Sequence, residues 1–127
     1  MRKTFGIIVL IIILLNTCAA FAATEADSVF SWTSATLTTQ KKLSFSLRTI
    51  QVCDEIRIDS CVLQKKVGGD WAYDATLTPP SYVAENKAQY VTTVNYSAQI
   101  GSGTYRIMYQ ANADGHTVTR YSTSRTF

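Results

Sequence analysis

The stretch Cys61-Val62-Leu63-Gln64-Lys65-Lys66-Val67-Gly68-Gly69-Asp70-Trp71-Ala72-Tyr73 reads as two β-strands joined by a two-residue turn. Apolar and polar residues alternate on both sides of Gly68-Gly69. A glycine pair tolerates the positive φ angles of the primed turns whose twist matches that of paired strands. Working outward, Pro79-Pro80 ends the second strand, because proline cannot donate to a sheet ladder. Upstream, Leu43-Ser44-Phe45-Ser46-Leu47 alternates cleanly. Its phase breaks after Thr49, since Ile50 and Val52 fall on the opposite parity, and such a break predicts a bulge or bend.

The same two-residue period continues downstream. Gln89 to Ala98 alternates, Gly101-Ser102-Gly103 punctuates, and Thr104 to Asn112 places Tyr105, Ile107, Tyr109 and Ala111 on one face. Asp114-Gly115 marks a second hairpin, with His116 to Phe127 as the closing strand. With an early strand over Phe30 to Leu37, about seven short strands are expected. No stretch of the same region carries a helical period. The expected fold is an all-β, antiparallel β-sandwich of two facing sheets.

The beginning of the chain has a different character. Arg2 and Lys3 precede an unbroken apolar run from Gly6 to Leu15, and Ala20-Phe21-Ala22 supplies a small-x-small cleavage pattern. Residues 1–23 are expected to be a signal peptide and residues 24–127 a single β-sandwich domain. The apolar run is shorter than the roughly 20 residues of a membrane-spanning helix, so no span is expected once the signal is removed. The alternative makes Cys18 a lipidated cysteine, with Thr17 larger than the residue that usually precedes one.

Export changes the charge argument. The chain has 12 basic and 9 acidic side chains, and loss of Arg2 and Lys3 leaves 10 against 9. The basic balance thus belongs to the targeting segment and gives no reason to expect a nucleic-acid partner. The 104 residues that follow residue 23 suffice for one core.

Export also leaves Cys53 and Cys61 as a pair in an oxidising space, which favours a disulfide between them. Along a straight strand the two would lie roughly 26 Å apart, at about 3.3 Å per residue. A bond, which wants Cα atoms about 5.5 Å apart, therefore requires the chain to fold back between them. Free or intermolecular thiols are the alternative. Zinc wants four ligands and only His116 could join the cysteines, while the spacing is wrong for a CxxC redox pair.

Cys53-Asp54-x-Ile56-x-Ile58-x-Ser60-x-x-Leu63-Gln64-Lys65-Lys66-x-Gly68-Gly69-x-Trp71, together with Gly103-Thr104-Tyr105-Arg106, resembles the uncharacterised small secreted β-sandwich proteins of clostridia-like Gram-positive bacteria. Arg57 stands where that pattern has a smaller residue. The family brings no catalytic residues. Gly103-x-Tyr105 ahead of an alternating strand also resembles the tyrosine corner of immunoglobulin domains. That second likeness implies a Tyr105 hydroxyl bonded to nearby backbone, and Ile107 in the core packed near Trp71 where an immunoglobulin cysteine would stand.

Chemistry is sparse. His116 sits beside a turn without a nucleophile motif around it. Asn112-Ala113-Asp114-Gly115 lacks the further oxygen ligands of a calcium loop. Asp54, Glu55 and Asp59 would need a sugar-sized cleft to act as a glycosidase pair. No catalytic, cofactor-binding or metal residues are therefore assigned. The favoured expectation is a secreted, non-catalytic binding or interaction module for a protein, glycan or cell-wall polymer, using aromatics on a sheet face or loops. A small secreted effector or bacteriocin-like toxin is second, and a small hydrolase third.

Overall fold

The computed structural model describes residues 29–127, so the expected signal peptide, its expected cleavage site and Cys18 lie outside the described residues. Seven strands follow one another: β1 (Phe30–Leu37), β2 (Lys42–Val67), β3 (Asp70–Leu77), β4 (Ala84–Asn95), β5 (Thr104–Ala113), β6 (His116–Tyr121) and β7 (Arg125–Thr126). Every pairing is antiparallel. No helix occurs among the described residues, so none there is long and apolar enough to cross a membrane.

The turn glycines act as their sequence predicts. Gly68 and Gly69 have φ of 60° and 90°, and strand pairing closes directly around them at Val67 and Asp70. Asp114 and Gly115 repeat this geometry at 52° and 90° between β5 and β6. Asparagine, aspartate and glycine are the residues that tolerate the left-handed region there.

The architecture rests on β2. At 26 residues it far exceeds the usual 3–10, and it is the spine of one seven-stranded sheet. On one flank it pairs with β4 from Lys42 to Ile56 and then with β3 from Cys61 to Val67. On the other it pairs with β1 up to Thr49 and then with β5 from Ile56 to Lys65. The partners change where the register slips. Between Arg48 and Cys53, five steps of β2 oppose two of β4, and between Ile58 and Ser60 two steps oppose one of β5. Bulges of this kind bend a strand and increase its twist. The predicted irregularity after Thr49 is there, with Ile50 and Val52 at 61% and 68% exposure rather than in the core.

These bends curl the sheet into a half-barrel, which replaces the expected pair of separate sheets. The reason lies in β2, whose ladder runs through the phase break so that one strand serves both halves. Across the curl, the β6–β7 link meets β1: the Thr123 amide donates to Ala35 O (3.0 Å), the Leu37 amide to Thr123 Oγ1 (3.0 Å) and Arg125 Nε to Leu37 O (2.8 Å). The core fills the concave side. Phe45 from one half packs edge-to-face on Tyr109 from the other, ring centroids 5.1 Å apart, and on Tyr90 at 6.5 Å. Leu37, Leu43, Leu47, Ile56, Leu63 and Ile107 are fully buried around them.

The expected Cys53–Cys61 disulfide is corrected by the same continuity. Both cysteines are free and buried. Cys53 pairs with Lys87 and Cys61 with Leu77 and Tyr109, so both sit in the ladder of one advancing strand. The bulge at Asp59 shifts register without reversing direction, and the fold-back that a bond requires does not occur.

Candidate functional site

Two features of the surface carry groups organised beyond what packing demands. The first is the convex face of the half formed by β3, β2, β5 and β6. In the outward phase of β2, Gln64 lies opposite Arg106 on β5 and Tyr73 on β3, and Lys66 lies opposite Trp71. Met108, also outward, lies opposite Tyr121 on β6. These side chains touch across the strands. The Arg106 guanidinium carbon is 4.5 Å from the Trp71 ring centroid and 4.0 Å from that of Tyr121. Its Nε donates to Gln64 Oε1 at 2.7 Å. Lys66 Nζ stands 5.7 Å over Trp71, and the Tyr73 hydroxyl is 2.9 Å from Thr76 Oγ1. Cation–π contacts at exposed sites contribute about 0.5–1 kcal/mol each, so together they bias the row toward this arrangement. The rings still face water, Tyr73 at 67% and Tyr121 at 50% exposure.

This placement corrects the expected core role of Trp71. Trp71 is half-buried on the convex face, whereas Ile107, opposite Leu63, points into the concave core. The two cannot pack together, because successive strand residues point to opposite faces. Tyr105 is buried, and its hydroxyl donates to Ser102 O, three residues upstream, at 3.4 Å.

The second feature is a cavity of about 310 Å³ at the β2 bulge, lined by Val29, Ile50, Gln51, Val52, Cys53, Ala113, Asp114 and His116. Cys53 Sγ lies 3.5 Å from Gln51 O, and among the described residues no hydrogen bond joins it to His116. Asp114 spends both carboxylate oxygens on backbone, accepting from the amides of Glu55 (2.9 Å) and Asp54 (3.1 Å). The aspartate thus clamps the β5–β6 turn onto the bulge. Those two amides, Glu55 first, hold the Asp114 carboxyl below its ordinary value of 3.8.

A depressed carboxyl stabilises the fold above its unfolded pKa, and that contribution is lost as pH falls through the folded value. Asp114→Asn keeps a residue suited to positive φ but loses an acceptor. It is expected to lower Tm at pH 7, with the gap to the unsubstituted protein narrowing below pH 3.8. A gap that stays constant across a calorimetric pH series would refute the clamp.

Two of the three carboxylates considered for acid–base chemistry, Glu55 and Asp59, are otherwise engaged. Glu55 and Asp59 both bind Arg57, at 3.0 and 2.8 Å, on an exposed strand face. Asp59 also accepts from Asn112 Nδ2 at 2.8 Å, which fixes the bulged residue. Among the described residues no three His, Cys, Asp or Glu side chains are grouped to hold a metal ion.

Sequence reasoning anticipated exposed aromatics but not which ones, and it read Arg106 only as part of the Gly103-Thr104-Tyr105-Arg106 likeness. The signal was present in the turns. A two-residue turn at Gly68-Gly69 puts Trp71 opposite Lys66, and one at Asp114-Gly115 puts Tyr121 opposite Met108, two residues from Arg106. Comparison with known protein families, curated proteins and solved structures finds no match to this chain.

Proposed function

We propose that this protein is an exported, non-catalytic binding module that engages an extracellular or cell-wall polymer through the convex face around Arg106. The observation that carries this reading is the Trp71–Arg106–Tyr121 row, in which Arg106 lies against both rings while Trp71 stays half-buried and Tyr121 is exposed. Side chains on paired strands, already held by neighbours, lose little further freedom on binding. Aromatic rings on such a surface give large contact area with a polar handle. The apolar run at residues 6–15 supports export. In this reading the curled sheet is an open form of the immunoglobulin-like sandwich, with the Tyr105–Ser102 bond as its tyrosine corner.

Co-sedimentation with insoluble cell-wall polysaccharides tests it. The native protein is expected in the pellet. The triple variant Trp71→Ala, Tyr73→Ala, Tyr121→Ala is expected in the supernatant with an unchanged far-ultraviolet dichroism spectrum. Equal retention of the two would remove this face from the function.

A further inference from the structure

We infer that the ligand is an acidic polysaccharide and that Arg106 receives its carboxylate; this rests on the proposed binding face and names the chemistry it selects. An arginine has five N–H donors in a planar fork. In Arg106 the Nε donor is used by Gln64, and the guanidinium lies against the Trp71 and Tyr121 rings. Neither Nη atom meets an acceptor among the described residues. What stays open is the Nη1–Nη2 edge, the edge whose paired donors match the two oxygens of a carboxylate. Its orientation is set before any ligand arrives.

Charge on the face agrees. Arg106 and Lys66 both point outward, and neither forms an ion pair among the described residues, where the two ion pairs both belong to Arg57. Two unpaired cations beside exposed rings favour an anion that also has an apolar side.

Shape selects a sugar chain over an acidic peptide. Peptides gain affinity from main-chain bonds at a free sheet edge, or from pockets that take alternate side chains. Here Arg106, the group that would receive the anion, stands on β5, an interior strand paired on both flanks and set in from the outer strands β3 and β6, and the four surface cavities of about 290–530 Å³ are lined by none of Trp71, Arg106 and Tyr121. The face instead runs open from β3 to β6, about 14 Å at some 4.8 Å per strand spacing. Tyr73 extends it on the β3 side, with its hydroxyl tied to Thr76. A uronic-acid unit suits this surface: its C–H face stacks on a ring, and its carboxylate lies at the rim where the guanidinium edge waits.

Calorimetric titration with oligogalacturonate and with hyaluronan, beside the methyl ester of each and an oligoglutamate, decides the matter. At least one acidic glycan is expected to bind, and its methyl ester at least about tenfold more weakly, in keeping with loss of a charge-assisted bidentate pair. Arg106→Lys keeps the charge but not the fork and is expected to lose a similar factor, with its dichroism spectrum unchanged. Equal binding of acid and ester, or unimpaired binding by Arg106→Lys, would overturn the inference. Oligoglutamate binding as tightly as the glycan would overturn it in favour of an acidic peptide. If both glycans fail while the native protein still sediments with wall polysaccharide and the triple variant does not, the binding face stands and its acidic ligand falls. Failure in both assays would remove both.

Discussion

Replacing Phe45 by alanine is expected to cost about 3–5 kcal/mol, a large share of the roughly 5–15 kcal/mol that holds a domain of this size folded. Phe45 is fully buried on the first half of β2, yet its ring meets Tyr109 on β5, a strand that joins β2 only in its second half. It also meets Tyr90 on β4. The substitution therefore removes a large apolar side chain and two edge-to-face contacts, each worth about 0.5–1.5 kcal/mol beyond its buried area. The cavity would open at the seam where the sheet folds on itself. A control on β4 is Val91→Ala, which changes a residue 52% exposed and should stay within about 0.5 kcal/mol of the unsubstituted protein. Urea denaturation of both variants checks the pair. A loss below about 1 kcal/mol for Phe45→Ala would mean that the two halves do not share one core.

That seam is also where the sequence became hard to read. The strands and hairpins were legible because their signals are local: the alternation of Leu43 to Leu47, the glycine pair at 68–69 and the Asp114-Gly115 turn each act within a few residues. The continuity of β2 is not local. Its buried positions run Leu43, Phe45, Leu47 and Thr49, then Cys53, Ile56, Ile58, Cys61 and Leu63, so parity flips twice and suggests separate strands. What keeps the strand continuous is pairing with distant residues. Glu85 and Lys87 face its bend on one flank, and Asn112 and Ala113 on the other. A single chain read along its length does not display those partners.

The convex face around Arg106 divides in the same way. The position of Trp71 opposite Lys66 follows from turn geometry alone, and the immunoglobulin analogy misplaced it by assigning a core role from motif likeness. The Arg106 contacts with Trp71 and Tyr121 are diagonal across β2 and β6. They depend on the register of two hairpins at once, while Tyr73 joins the face by alternation from Trp71, ahead of the register shift between Leu63 and Gln64. The cavity at Cys53 could be anticipated only as irregularity, because the Asp114 clamp spans some sixty positions of sequence.

Alkylation of the native protein at pH 8 is expected to spare Cys61, with reactivity suppressed by at least about a hundredfold relative to the unfolded chain. Burial pushes the Cys61 thiol from 9.0 up to about 11, against a smaller opposing effect of the Tyr96 hydroxyl. A two-unit rise cuts the thiolate fraction at pH 8 by about a hundredfold, and the side chain has no surface to offer the reagent. Cys53, at the wall of the open cavity, is expected to take the single native adduct. For the form that lacks residues 1–23, and with them Cys18, mass spectrometry should then show one adduct on the folded protein and two in urea. A species lighter by two hydrogens that gains no adduct in urea would contain the Cys53–Cys61 bond and refute the continuous β2. The raised thiol carries a stability consequence of definite sign. Because the folded state holds its proton more tightly, the contribution is complete below pH 9 and is lost as pH rises toward about 11. Tyr109, pushed up to about 12 by burial, extends the decline, as do Tyr90 and Tyr96, which burial raises further. The urea midpoint should therefore fall above pH 9. Cys61→Ala should flatten the fall between pH 9 and 10 while leaving the tyrosine-driven fall that sets in above pH 10, a separation that general alkaline denaturation would not produce.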